Sequence, residues 1–182
     1  MRTYVLGALV FALAALPVAA QLPKATEVPA GAMAQSDVDF LRTADAANID
    51  QLMLAKRAGA NSKIPGVRSL AENVQKSHTK ADDALRLLAG VKHVDLSHRS
   101  TERGAAEADD QVRKDVPKER LYVEGVVRDG NDLIAMYENA VTNSTDPDVR
   151  TFAKTMLPAL QDNTRQASDL LKRRNWDSPN SD

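Results

Sequence analysis

The sequence predicts an all-α fold, an antiparallel bundle of four long helices laid out as two hairpins. Three observations carry that expectation. Apolar residues recur at steps of three and four in four separate stretches, the pattern of helices that each bury one face. Aromatics make up only 4% of the chain while hydrophobic residues reach 43%. The core must therefore be built from small and medium aliphatic side chains, which suit close helix packing better than β-sheets. Turn chemistry also falls between the stretches, at Gly59-Ala60-Asn61, at Ile64-Pro65-Gly66 and at Asn143 to Pro147. With 182 residues, 27% of them charged, the chain is long enough for one domain with a substantial core.

Residues 1–20 read as an export signal. Arg2 supplies the positive start, Val5 to Leu16 is unbroken apolar sequence, and Val18-Ala19-Ala20 places small residues where a signal peptidase cuts. The apolar run is shorter than the roughly 20 residues that span a bilayer. Cleavage near Ala20 is expected, leaving no transmembrane span. Removing Arg2 takes the formal charge from -1 to -2, and the expected location is the bacterial periplasm or the medium. Residues 21–35, with Pro23, Pro29 and Gly31, read as a flexible leader.

The bundle domain is expected over residues 36–174. Ser36 with Asp39 three positions on is a variant capping box, so the first helix starts there. Its stripe is Phe40, Ala44, Ala47, Gln51, Leu54, Ala58. The second stripe is Val67, Leu70, Val74, His78, Ala81, Leu85, Leu88, ending at Gly90. The short break between them makes the two helices antiparallel neighbours.

Residues 91–115 are polar, with Ala105, Ala106, Ala108 and Val112 as a weak helical face. They are expected to form a long, partly helical connection. Pro117 suits the first turn of the third helix, whose stripe is Tyr122, Val126, Asp129, Leu133, Tyr137, Ala140. Asp146 then caps the fourth helix with Pro147 at its first position. Its stripe is Val149, Phe152, Met156, Leu160, Asn163, Ala167, Leu170, and Pro158 inside it should bend the helix or widen it locally. Residues 175–182 read as a loose tail, from which Trp176 packs back on the bundle.

Each stripe has one polar interruption: Gln51, His78, Asp129 and Asn163. Counted at about 1.5 Å per residue from the turns, they reach similar depths, which makes them a candidate central polar layer. For His78 the ordinary expectation is a neutral core imidazole hydrogen-bonded to Asn163, Gln51 or a buried water. Asp129 is expected at the stripe margin, because an unpaired buried carboxylate is costly.

Several function classes drop out. Lys and Arg are interspersed with Asp and Glu along the chain, so a nucleic-acid partner is not expected. The chain has no cysteine, which excludes disulfides, thiolate metal sites, covalent c-type haem and a Cys nucleophile. There is no phosphate-cradling Gly loop, nucleophile elbow or catalytic carboxylate pair, so no catalytic residue is assigned and an enzyme is the minority reading. His93 and His98, bracketing Asp95, read as solvated loop residues, Tyr122 and Tyr137 as core, and Asn143-Ser144-Thr145 as turn chemistry.

The segments Asp39-Phe40 with Ala46-Ala47, Val67 to Ala71 leading to Ser77-His78-Thr79-Lys80-Ala81, Glu119 to Tyr122 through Val126 to Asp129, and Phe152-Ala153-Lys154 with Leu157 to Leu160 resemble, in order and spacing, a known family. It comprises small exported bacterial proteins with a ferritin-like four-helix bundle, classed as a domain of unknown function and often labelled outer-membrane proteins. The resemblance covers about Asp37 to Leu171. It implies a Glu in the first helix and a His in each of the others, pointing inward as metal ligands. Only His78 matches; Gln51 stands at the Glu position, Gly130 and Asn163 at the other two His positions. Amide oxygens are poor ligands for transition metals, and the paired Glu-x-x-His pattern of di-iron bundles is absent.

The expected function is therefore a non-catalytic, envelope-associated binding protein without a cofactor, its partner an unidentified protein or small ligand. The alternative is a ferritin-like metal-binding or oxidase-type protein with a metal ion at His78. A third class, peripheral binding to a membrane surface or partner helix, is suggested by the irregular 91–115 segment.

Overall fold

The computed structural model describes residues 33–96 and 116–176. It contains α1 (Gln35–Asn61), α2 (Pro65–Val91), α3 (Lys118–Asn143) and α4 (Pro147–Arg173), and no strand among the described residues. The export signal, most of the leader, the 97–115 part of the connection with His98, and residues 177–182 lie outside the described residues.

α1 packs chiefly on α2 and α3 on α4, and lighter α2–α4 and α1–α3 seams close the ring. Every neighbouring pair is antiparallel, as two hairpins require. α2 and α3 run the same way across a diagonal. The described chain leaves α2 at Leu96, beside the start of α1, where Arg42 Nε donates to the Asp95 carbonyl at 3.1 Å. It resumes at Val116 at the opposite end of the bundle, about 40 Å away at 1.5 Å rise per residue. The described stretches on either side of residues 97–115 thus lie at opposite ends of the bundle.

The helix ends show what local sequence does and does not specify. Asp146 caps α4 as expected, its side chain accepting from the Asp148 and Val149 amides, with Pro147 in the first turn. α4 runs unbroken through Pro158. Ser36 is not a cap: α1 begins one residue earlier, at Gln35, behind Ala34, and no side chain caps it. The Ala34 carbonyl accepts from Asp37 and Val38, while the side chain that a capping box would use, Asp39, takes a hydrogen bond from Gln35 instead. Pro117 stands just before α3, not inside it, since its extended ψ of 134° ends the preceding segment. α2 passes through Gly90 and ends at Val91. The left-handed residue that stops it is His93 (φ 55°), which lets the Val94 amide reach back to the Ala89 carbonyl at 2.9 Å.

The core divides in two. Near the α1 start lie Phe40, Leu41, Leu85, Leu133, Tyr137, Phe152 and Met156. Three rings meet there, Phe40 edge-on to Tyr137 with centroids 5.1 Å apart and Tyr137 to Phe152 at 5.8 Å. Near the α1 end lie Ala55, Val67, Leu70, Val74, Val123, Val126 and Ala167, with Tyr122, Leu170 and Trp176 against them. Between the two clusters sit the polar residues.

The α2 and α4 stripes are the buried faces of those helices, apart from Leu88 and Leu170 at their ends, which are only half-buried. The α1 stripe is rotated from expectation: Leu41, Asp45, Asn48 and Ala55 are buried where Ala47, Leu54 and Ala58 are only half-buried. In α3 the inward positions are Val123 and Gly130 in place of Tyr122 and Asp129. Both shifts follow from neighbours. α1 turns a polar edge inward because α2, α3 and the α3–α4 turn offer it hydrogen-bond partners, and α3 turns glycine inward because Thr164 on α4 lies against it.

Candidate functional site

The polar residues at mid-bundle bond in pairs across helix seams. Gln51 on α1 donates through Nε2 to Asp129 Oδ2 on α3 at 3.1 Å. His78 Nδ1 on α2 lies 2.8 Å from Asn48 Oδ1, one turn before Gln51 on α1. Asn163 on α4 donates through Nδ2 to Ser77 Oγ on α2 at 2.7 Å. Gln51 and Asp129 are thus brought together, whereas His78 and Asn163 each bond to a residue outside the predicted four. Asp129 stands at the margin: its second oxygen is 2.8 Å from the exposed Arg128 guanidinium.

His78 is 6% exposed, and burial lowers its pKa from 6.5 to about 4. It is a neutral imidazole at neutral pH. With Asn48 accepting from Nδ1–H, the other ring nitrogen is left as an acceptor. The Asn48 amide nitrogen is buried and donates no hydrogen bond among the described residues. It borders a cavity of about 10 Å³ shared with Ser77, His78, Tyr137 and Met156. That is room for about one water molecule, with polar groups to hold it. It is not room for a substrate.

Gly130 explains how closely α3 and α4 approach. A Cβ there would lie 2.2 Å from Thr164 Oγ1, so no side chain fits unless Thr164 moves. The metal ligand set that the resemblance implies therefore does not assemble. Gln51 is an amide bonded to Asp129, Gly130 carries nothing and has Thr164 in its place, and the Asn163 amide nitrogen is bonded to Ser77. The donors present do not fit a transition metal. Among the described residues no three His, Cys, Asp or Glu side chains gather where they could share an ion.

A second polar cluster, at the α1 start, has no counterpart in the sequence reading. Asp37 is 2% exposed and accepts from Thr145 N, Thr145 Oγ1 and Asp146 N at 3.2, 2.9 and 3.1 Å. Lys92 Nζ, at the end of α2, bridges Asp146 and Asp148 at 2.7 Å each. Burial works to raise the Asp146 carboxyl, but hydrogen bonds from Lys92 and two backbone amides outweigh it and hold the pKa below its ordinary value. This cluster ties the α3–α4 turn to both other helices. Beside it a surface groove of about 280 Å³ opens between α1 and α3, lined by Asp39, Thr43, Met136 and Asn139 among others.

Asp37, Asp45 and Asn48 were invisible to apolar periodicity. The signal available was their own spacing: with Gln51 they recur at helical steps along the face that carries Leu41, Ala44 and Ala55.

The molecule is thus an all-α four-helix bundle whose centre is a set of mutually bonded polar side chains. Residues 22–170 match a family described as a domain of unknown function, DUF4142. The chain belongs to that family. No curated protein matches it. Among solved structures it is similar to a crystal structure of a DUF305 fragment from Deinococcus radiodurans, with a TM-score of 0.67 and 19% identity over 79% of this chain and 99% of that one. At that identity the likeness concerns the fold alone.

Proposed function

We propose that the protein is an exported, non-catalytic binding protein of the bacterial envelope. The observation that carries the reading is the pairing at mid-bundle. Gln51, Asn163 and His78 are each bonded to a neighbouring side chain, and the cavity beside them has the volume of about one water. Groups held this way fix helix register; they are not presented to a substrate. Export rests on the pattern of residues 1–20, and the envelope role on the family resemblance.

Metal analysis of the purified protein and of His78→Ala tests the reading. Both should carry far less than one metal ion per chain after passage through a weak chelator. One ion per chain, lost in His78→Ala, would overturn it in favour of a ferritin-like metal-binding or oxidase-type protein built around His78.

A further inference from the structure

Folding sorts charges that are mixed along the chain. Take the half of the bundle holding the α1 end, the α2 start, the α3 start and the α4 end, residues 48–78, 116–130 and 160–176. It carries twelve Lys and Arg against seven Asp and Glu. The other half, residues 33–47, 79–96 and 131–159, carries six against ten. A nearly neutral molecule is therefore basic at one end and acidic at the other.

At the basic end exposed cations come from three of the helices and a loop: Lys56 and Arg57 on α1, Lys63 in the α1–α2 loop, Lys118 at the α3 start, and Lys172 and Arg173 at the α4 end. They surround the tip of the bundle and do not line a groove, which suits a broad anionic surface better than a strand of nucleic acid. Trp176 sits among them, half-buried. Its Nε1 donates to the Leu171 carbonyl at 3.4 Å and Arg174 lies over its ring at 5.6 Å. An aromatic side chain with an apolar body and a polar edge is the type that settles at lipid headgroups. The acidic end, some 40 Å off along the helices, is many Debye lengths away, each about 8 Å at physiological salt. It does not oppose such docking, and its repulsion disfavours the inverted orientation. None of the described helices is long and apolar enough to cross a membrane, so the contact would be peripheral.

We propose that the basic end is a docking face for anionic phospholipid, met end-on by the bundle. The proposal gives the envelope-binding reading a partner, and it does not depend on the outcome at His78.

The test uses the chain from Gln21, since every contact described above lies within residues 33–176. Its partition onto mixed phosphatidylglycerol and phosphatidylcholine vesicles is compared with that onto phosphatidylcholine alone. Two double variants remove the same charge from the two halves: Lys63→Gln with Lys172→Gln at the basic tip, and Lys80→Gln with Lys154→Gln in the other half, all exposed. Circular dichroism confirms that both fold. Anionic vesicles should be preferred, high salt should abolish the preference, and the basic-end variant should lose about 30-fold in partition. The other variant should lose less than about threefold, because its charges lie beyond the screening length. Equal losses in the two variants, or no preference for anionic vesicles, would overturn the proposal. So would tighter binding to duplex DNA than to the vesicles, which would assign the face to nucleic acid. Failure on vesicles by a chain that also carries no metal would remove this partner while leaving the non-catalytic reading in place.

Discussion

The two ends of the bundle are closed by different physics. At the end where α1 starts, a buried carboxylate, a bridging lysine and a trio of aromatic rings hold four chain segments together. At the end where α1 stops, the contact is mostly aliphatic, with Val67, Leu70 and Val123 fully buried, and the charges lie outside it. Directional hydrogen bonds specify how the α3–α4 turn seats on α1. Undirected apolar contact supplies cohesion and leaves the exterior of the other end available for charge. The difference teaches that the end held mainly by apolar contact is the one whose exterior carries the excess of Lys and Arg.

The contrast should be visible as two modes of failure. Leu70→Ala opens a cavity in a fully buried site and should cost about 3–4 kcal/mol, equally at all pH values. Asp37→Ala removes an acceptor of three hydrogen bonds and should cost about 2 kcal/mol. Denaturant unfolding measures both losses. A larger loss for Asp37→Ala than for Leu70→Ala would reverse the ranking of the two ends.

The boundary between the ends has its own signature. His78 titrates near 4 in the folded protein and near 6.5 when unfolded, so between those values the unfolded chain binds more protons and stability rises with pH. Acidifying from above pH 6.5 to about pH 4 should remove roughly 3 kcal/mol. In His78→Gln this component should vanish. An unchanged slope in the variant would mean that the imidazole is more solvated than its burial indicates.

The smallest effect concerns how α2 stops. His93 holds a left-handed conformation that glycine adopts without strain. His93→Gly should stabilise the protein by about 0.5–1 kcal/mol, measured as a higher thermal midpoint. A loss of stability would instead indicate that the imidazole contributes contacts of its own.

The faces of α2 and α4 were legible in the sequence because nearly all their buried positions are apolar, with His78 in one and Asn163 and Thr164 in the other as the exceptions. α1 was misread for the opposite reason. Half of its buried positions are polar, Asp37, Asp45, Asn48 and Gln51, and a method that follows apolar periodicity passes over a face of that kind. Gly130 was legible as a missing ligand but not as the point where Thr164 lies against α3, since closeness of two backbones leaves no mark in either local sequence.

By itself the sequence determined the four helices, the two hairpins, the cap at Asp146 and the inward place of His78, because these depend on local propensity and on the period of burial. Tertiary structure decided the rest: which polar groups bond to one another, how α1 and α3 are rotated, and that charges mixed along the chain separate to opposite ends. Those features belong to side chains brought together by antiparallel packing of residues far apart in sequence. Their energies arise only once that packing has formed.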